Sequence, residues 1–306
     1  MKVIREITCI TFLFMLLLSA TFLAARPTAG FFLPDSIGEM TLNYRAVKGL
    51  IVLPVTINDS VEVNLILDTG CRNLILFGRR FTKMFKMNPG KPVVFSGLGS
   101  GHSASGMLSL GNKVSIYQVI GEQIPLVVVA NNKIFGNYHH IDGVIGYDIF
   151  LKFEIELNPK DRTITFRPAL RSSVPFGYTH VPLEIVDARP IMRSVVTLDM
   201  HNSRTLDLMI DTGSSLGLLL KTTNIAEYNQ LTKEKVLGIG FNGPISGYET
   251  FSKRLKLHDF EIEKVSTRIV SSERHDNASL GMEVLKDYIV ILNYCRSYVC
   301  FKLERT

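Results

Sequence analysis

Asp68 and Asp211 are the residues on which chemistry can be built. Each closes an apolar run and is followed at once by Thr and Gly, in Leu65-Ile66-Leu67-Asp68-Thr69-Gly70 and Leu208-Met209-Ile210-Asp211-Thr212-Gly213. A carboxylate among residues bound for a core costs several kcal/mol or more unless it finds a partner or a task. The partner is in the sequence, because the two stretches are copies: LILDTGCRNLIL and LMIDTGSSLGLL align without a gap. Two carboxylates sharing a site cannot both ionise cheaply, so they hold one proton between them and titrate with split constants. Such a pair can hold a water, take a proton from it with one carboxylate and donate to a carbonyl with the other. That is general acid–base hydrolysis of an amide, with no metal and no covalent intermediate. Gly70 and Gly213 allow close backbone approach and let their N–H groups point at a carboxylate oxygen. Thr69 and Thr212 carry short hydroxyls that can bond to the opposing loop and lock two lobes together.

The elements that must position this pair repeat with it. Gly97-Leu98-Gly99 recurs as Gly238-Ile239-Gly240, and Gly106 recurs as Gly247. GYDIFLKFEIELNPKDRTITF, from Gly146, lies over GMEVLKDYIVILNYCRSYVCF, from Gly281, with Phe153 on Tyr288 and Asn158 on Asn293. Landmarks in one order with small shifts of offset mark a duplication. A two-lobed repeat with approximate two-fold symmetry sets equivalent loops face to face, which makes Asp68 and Asp211 neighbours. Both halves read as β. VLPVTI, VEVNLIL, KVSIYQVI, IPLVVVA, FEIEL and TITF are short β-branched or alternating runs broken by Asn, Asp, Gly and Pro. The segment from Phe153 to Phe166 is a hairpin that turns at Asn158-Pro159-Lys160-Asp161. Weak helical patterns follow each Asp-Thr-Gly, around 79–87 and 223–235. The connection between halves lies near 168–182, punctuated by Pro168, Pro175, Gly177 and Pro182.

A chain of 306 residues with 46% hydrophobic content suits two medium domains with a sizeable core. The formal charge of +6 is dispersed, with only short pairs such as Arg79-Arg80 and Lys253-Arg254, which fits a solvated basic surface and no nucleic-acid partner. Lys2 and Arg5 precede an apolar run from Ile7 to Ala25, then Arg26-Pro27. This pattern predicts an export signal, or an uncleaved anchor attaching the protein to a membrane through residues 7–25, since the run approaches the ~20 residues that span a bilayer. The expected organisation is an export segment at 1–25, a first lobe at 26–172 and a second at 173–306. The body is then exported, periplasmic or otherwise extracytoplasmic. Residues 26–38 suit an activation segment or a tether. Cys295 and Cys300 stand close enough along the chain to bridge within a hairpin in that compartment.

With these motifs in place, the chain resembles a pepsin-like or tandem retropepsin-like aspartic protease, and most closely the exported bacterial two-lobed forms. The resemblance runs from about Glu39 to Leu303. It rests on ILDTG and MIDTG, and on the apolar-apolar-Gly element of each lobe, Val144-Ile145-Gly146 and Ser279-Leu280-Gly281, which packs beneath the catalytic loop in that family. It rests also on the glycine-rich stretches SGLGSGHSASG and LGIGFNGPISG. The resemblance implies an all-β, bilobal acid protease fold of two homologous β-barrel-like lobes. It implies peptide-bond hydrolysis by Asp68 and Asp211, supported by Thr69, Gly70, Cys71, Thr212, Gly213 and Ser214. Flap-like hairpins would carry Gly97, Gly99, Ser100, Gly101, Gly240, Gly243 and Tyr248 near the substrate. The expected partner is a peptide or protein substrate, with no cofactor or metal and a monomeric state. Two residues depart from the family pattern: Cys71 replaces a small or hydroxyl residue, and Arg72 stands where the second loop has Ser215. A thiol is a weak donor, so Asp68 is expected to lack one hydrogen bond that Asp211 keeps, and the working range to move toward neutral pH. The alternative on the same fold is a peptide-binding scaffold with little or no activity.

Other patterns are weaker. Gly238-Ile239-Gly240-Phe241-Asn242-Gly243 spells a dinucleotide fingerprint, but Pro244 follows and no βαβ unit surrounds it. GHSASG, from Gly101, has Ser105 where a serine-hydrolase elbow requires glycine. His139-His140 beside Asp142 lacks a ligand set with zinc-like spacing. Cys71 has no base assigned to it. Two ordinary turn aspartates in a duplicated β protein would explain Asp68 and Asp211 more plainly, but matching flanking elements in both copies argue against that.

Overall fold

The computed structural model describes residues 29–303 apart from 91, 96, 98, 102, 131–139, 171–172, 199–202, 226–232 and 273–277. The chain is mostly β, in three sheets, one of which closes a six-strand barrel. The duplication read from the sequence holds strand by strand. In the first half Leu50–Ile57 pairs antiparallel with Val61–Leu67, the strand that leads into Asp68. Gly143–Ile145 then runs parallel to Val61–Leu67 and antiparallel to Leu74–Phe77. In the second half Arg189–Thr197 pairs with Ser203–Asp211, and Ala278–Gly281 runs parallel to that strand and antiparallel to Leu218–Thr222. The long hairpins match too: Ala104–Ile116 with Val119–Val129, and Gly243–Leu257 with Phe260–Ser271.

The halves join in a six-stranded sheet whose order is itself two-fold. Phe153–Asn158 and Tyr288–Asn293 pair at its centre, Thr163–Pro168 and Tyr298–Leu303 flank them, and Met40–Asn43 and Thr179–Pro182 form the edges. Burial explains the sequence patterns. The edge strand Met40–Asn43 alternates buried and exposed, whereas Tyr288–Asn293 is buried at every position and reads as one apolar run, YIVILN. The hairpin turn at Asn158 closes through its side chain, which donates to Asp161 Oδ2 at 2.9 Å and accepts from the Asp161 N–H at 3.1 Å.

Three sequence expectations change. The helical pattern at 79–87 shortens to a 3₁₀ turn, Arg79–Lys83: Phe81 and Phe85 are buried but Met84 between them is exposed, so the apolar face of a longer helix is incomplete. Its counterpart at 223–235 falls largely outside the described residues. The Cys295–Cys300 bridge is absent: both thiols are free. The hairpin register sets Cys300 opposite Ile291, buried in the sheet, while Cys295 lies exposed in the turn and its thiol donates to the Leu151 carbonyl. An unforeseen strand, Gly30–Phe32, lies within the segment read as activation segment or tether. It pairs with Val119–Val129 and seats the Phe31 ring over Gly121, where any side chain would collide with it. The export segment lies outside the described residues, among which no helix is long and apolar enough to cross a membrane.

One polar cluster is buried in the joining sheet. Glu154 accepts from the Tyr298 hydroxyl and from Asn293 Nδ2, which also donates to the Ala169 carbonyl at 2.9 Å. Arg167, held by Glu39 and Glu156, approaches the other Glu154 oxygen at 3.8 Å. A buried carboxylate survives only when its acceptors are filled. Replacing Asn293 with Ala removes donors from Glu154 and Ala169 together, and the urea midpoint should fall by the equivalent of roughly 2–4 kcal/mol.

Candidate active site

The two Asp-Thr-Gly loops meet where the halves join. Each aspartate leaves the end of its strand, and the apolar-apolar-Gly element threads beneath it. The Asp68 N–H donates to the Ile145 carbonyl at 2.9 Å, and the Tyr147 N–H to the Cys71 carbonyl at 2.9 Å. In the second half the Met282 N–H donates to the Ser214 carbonyl at 2.8 Å. Gly146 and Gly281 are glycines because a side chain at either would run into the backbone of the loop above it. Gly143 is closed in the same way by the Ile75 carbonyl.

The threonines lock the loops across the two-fold. The Thr69 N–H donates to Thr212 Oγ1 at 3.1 Å and the Thr212 N–H to Thr69 Oγ1 at 3.0 Å. Each hydroxyl then donates onward into the opposite half, Thr69 to the Ile210 carbonyl at 2.6 Å and Thr212 to the Leu67 carbonyl at 2.8 Å. Both threonines are fully buried, so these bonds are shielded from water. The glycine amides behave as their position predicts: Gly70 N–H donates to Asp68 Oδ1 at 2.7 Å and Gly213 N–H to Asp211 Oδ1 at 3.1 Å.

This arrangement brings the aspartates together. A Cβ on Gly213 would land on the Asp68 carboxyl group, so Asp68 lies against the loop of the other half. A Cβ on Gly70 would sit 3.2 Å from Asp68 Oδ1 and 3.7 Å from Asp211 Oδ1, placing an oxygen of each carboxyl around one small space. Asp68 is buried, while Asp211 stays partly exposed and leaves the pair open to water. Burial raises the Asp68 carboxyl to about 6, against the Gly70 N–H and the charge of Arg189, which pull it down. Burial and then the negative charge of Asp68 raise Asp211 to about 7, against the Gly213 N–H, Lys221 and Arg189. Both shifts favour the protonated carboxyl, and the charge of one opposes ionisation of the other, as expected of a proton-sharing pair.

Cys71 behaves differently from its expectation. Its thiol turns to the Asn73 carbonyl, 3.1 Å away, and burial followed by the Asp68 charge pushes its pKa well up. Ser214, its counterpart, uses its hydroxyl to accept from the Leu216 N–H at 3.3 Å. Neither side chain bonds an aspartate, so the exchange of hydroxyl for thiol removes no hydrogen bond from Asp68. The protonated, inert thiol also gives no support to a nucleophile.

The glycine-rich stretches form two hairpins, Val93–Phe95 with Ala104–Ile116 and Lys235–Gly240 with Gly243–Leu257. Their tips touch. Gly101 N–H donates to the Asn242 carbonyl at 2.5 Å, Ser100 N–H to the Pro244 carbonyl at 3.0 Å, and Asn242 Nδ2 to the Gly97 carbonyl at 3.0 Å. Gly97, Gly99 and Gly101 have no room for side chains against Phe241, Asn242 and Gly243. Phe241 stacks on Phe77 of the first half, ring centroids 5.7 Å apart. Of the other predicted residues, Gly240 pairs with Gly243 at the second tip, whereas Tyr248 lies down the strand opposite Ile269. The dinucleotide-like spelling is this tip.

Two neighbours of the pair escaped the sequence reading. Tyr294, in the turn after Tyr288–Asn293, donates to the Thr69 carbonyl at 3.3 Å and stacks on Phe150, centroids 5.1 Å apart. Burial and the charges of Asp68 and Asp211 raise its hydroxyl pKa well up. Its counterpart in the repeat is Pro159, so the alignment of the halves hides it. Arg189 is the second: it begins the strand that pairs with Ser203–Asp211, and its charge acts on both carboxyls. His139 lies outside the described residues. Asp142 beside it is held by Arg80 and accepts from the Asn64 N–H at 2.9 Å, a structural duty. Among the described residues no group of three or more His, Cys, Asp and Glu side chains assembles. An open depression of about 510 Å³, lined by Arg79, Arg80, Thr82, Lys83 and Ala130, includes neither aspartate. No family model matches the chain, and no curated protein matches its sequence.

Thr69→Val keeps the shape and strands the Thr212 N–H and the Ile210 carbonyl. Urea denaturation should show a loss on the order of 3 kcal/mol, against under ~0.5 for the exposed control Thr82→Val. Linkage gives a second outcome. A carboxyl whose folded pKa lies above its unfolded value stabilises the fold below the unfolded value and loses that contribution as pH rises through the folded one. For Asp211 that window runs from 3.8 to about 7. Asp211→Asn should therefore match wild type near pH 4 and exceed it by a few kcal/mol at pH 8, at roughly 1.4 kcal/mol per pKa unit. Equal pH slopes for the two proteins would refute the raised pair.

Proposed function

We propose that this chain is an aspartic endopeptidase of the bilobal pepsin-like or retropepsin-like type, acting outside the cytoplasm as a monomer. The observation that carries the reading is the coupled carboxyl pair, set by equivalent loops of a duplicated chain and locked by the threonine exchange. In the reaction a water lies between Asp68 and Asp211. The ionised member takes its proton as the oxygen attacks the peptide carbonyl, and the protonated member donates to the carbonyl oxygen, giving a tetrahedral diol. Proton return to the leaving nitrogen then breaks the C–N bond. The paired glycine-rich hairpins roof the substrate, which lies extended and adds strand-like backbone bonds beneath them. Their hydrogen-bonded tips must part for entry, a gating step of the kind lids perform.

The alternative, a peptide-binding scaffold on this fold, drew its support from Cys71 and Arg72. Cys71 removes no bond from Asp68, and Arg72 points to Asp187. That leaves the hydrolytic reading ahead. Incubation with a mixed peptide library, read by mass spectrometry, should yield internal cleavages that fall by at least ~10²-fold in Asp68→Asn and in Asp211→Asn. Binding without cleavage would instead establish the scaffold. Activity requires one proton on the pair. The rate should therefore be bell-shaped, with its maximum between about 6 and about 7, an acid limb from double protonation and an alkaline limb from double ionisation.

A further inference from the structure

The halves match so closely that their differences beside the carboxyl pair mark where the site loses its symmetry. In the first half Val52 pairs with Ile66, and continuing that register by two residues sets Leu50 opposite Asp68. In the second half Ile191 pairs with Met209, and the same continuation sets Arg189 opposite Asp211. Directly opposed residues of antiparallel strands keep their Cβ atoms within ~4.5–5.5 Å. On that continuation one aspartate faces the position of a buried leucine, Leu50, and the other that of a half-buried arginine, Arg189.

The turn before Arg189 is tied to the other half. Arg72, four residues past Asp68, donates to Asp187 Oδ1 at 2.5 Å, and Ala188 between Asp187 and Arg189 is buried. Both charged partners are about two-thirds exposed, 63% and 64%, so the pair contributes ~1 kcal/mol at most and serves to locate the turn. Arg189 is thereby held between the two loops. Its charge lowers the proton affinity of Asp68, Asp211 and Cys71 alike, as a cation near all three must. Among the described residues its guanidinium makes no hydrogen bond and no ion pair. A planar fork of donors near the carboxyl pair, hydrogen-bonded to neither member of it, suits a further carboxylate bound through two parallel bonds.

We propose that Arg189 is a specificity-determining residue that receives an Asp or Glu side chain of the substrate on the Asp211 side of the scissile bond, while the Leu50 side takes uncharged residues. This rests on the peptidase reading of the same site. An extended peptide presents alternate side chains to opposite walls, so the preference should appear at one flanking position and not at its two-fold mate. Substrate carboxylates are ionised above pH ~5, throughout the window in which the Asp pair holds one proton.

The test uses matched peptides carrying Glu or Gln at each position flanking the cleaved bond, with kcat/KM measured for wild type, Arg189→Leu, Arg189→Gln and Arg189→Lys. Wild type should favour Glu at one position by at least ~10-fold. The ratio should fall toward one in the Leu and Gln variants and survive in part in the Lys variant. A wild-type ratio near one at every position overturns the proposal, as does a ratio unchanged in both neutral variants. Equilibrium binding of the same peptide pairs to wild type and to each variant, by fluorescence anisotropy, separates the two readings. Absent cleavage with a Glu preference that needs Arg189 removes the peptidase and keeps the arginine site. Cleavage with no such preference does the reverse.

Discussion

Everything near the candidate site depends on the exchange of hydrogen bonds between Thr69 and Thr212. Each backbone N–H is answered by the hydroxyl of the other half, and each hydroxyl reaches a carbonyl beyond it. Without that exchange the loops would bury unsatisfied amides at the junction, at ~1–3 kcal/mol for each group. With it, the Asp68 carboxyl is pressed against Gly213 of the opposite loop, and burial holds both aspartates toward the protonated form. The lock therefore serves stability and electrostatics through the same atoms.

Glycine is the second constraint. Gly146 and Gly281 are required by the backbone of the loops above them and Gly143 by the Ile75 carbonyl of the neighbouring strand, whereas Gly99 and Gly101 are required by backbone, and Gly97 by the Phe241 side chain, at the hairpin tips. The first set fixes the aspartates from below. The second ties the two halves together a second time, through main-chain bonds and the Phe77–Phe241 stack. Rigidity below and a separable contact above are what the proposed hydrolysis would require of the pair and of the hairpins over it.

The duplication also permits asymmetry. Leu50 against Arg189, Ser215 against Arg72 and Pro159 against Tyr294 are substitutions of one repeat relative to the other, and one member of each, Arg189, Arg72 and Tyr294, acts on or belongs to the loops that carry the pair. A fused chain can give each side of its site different chemistry, where two identical chains would have to repeat every change. The joining sheet, with Glu154 buried on one central strand where the repeat places Ile289 on the other, shows the same freedom in a structural setting.

The sequence by itself determined the duplication, the predominance of strands, the hairpin at Asn158 and the identity of Asp68 and Asp211. These are carried by local patterns, apolar alternation, turn residues and a repeated motif, which need no knowledge of the fold. Only the tertiary structure decided which atoms answer them. It showed that Cys71 turns to Asn73, that the two glycine-rich tips meet, that residues 79–87 hold one short turn, and that Cys295 and Cys300 stay apart. It also showed Tyr294 bonded to the Thr69 carbonyl, and the charge of Arg189 acting on both carboxyls. The physical reason is range. Periodicity is written between near neighbours, whereas hydrogen-bond partners and charge neighbours are set by register and by packing between segments more than a hundred residues apart along the chain.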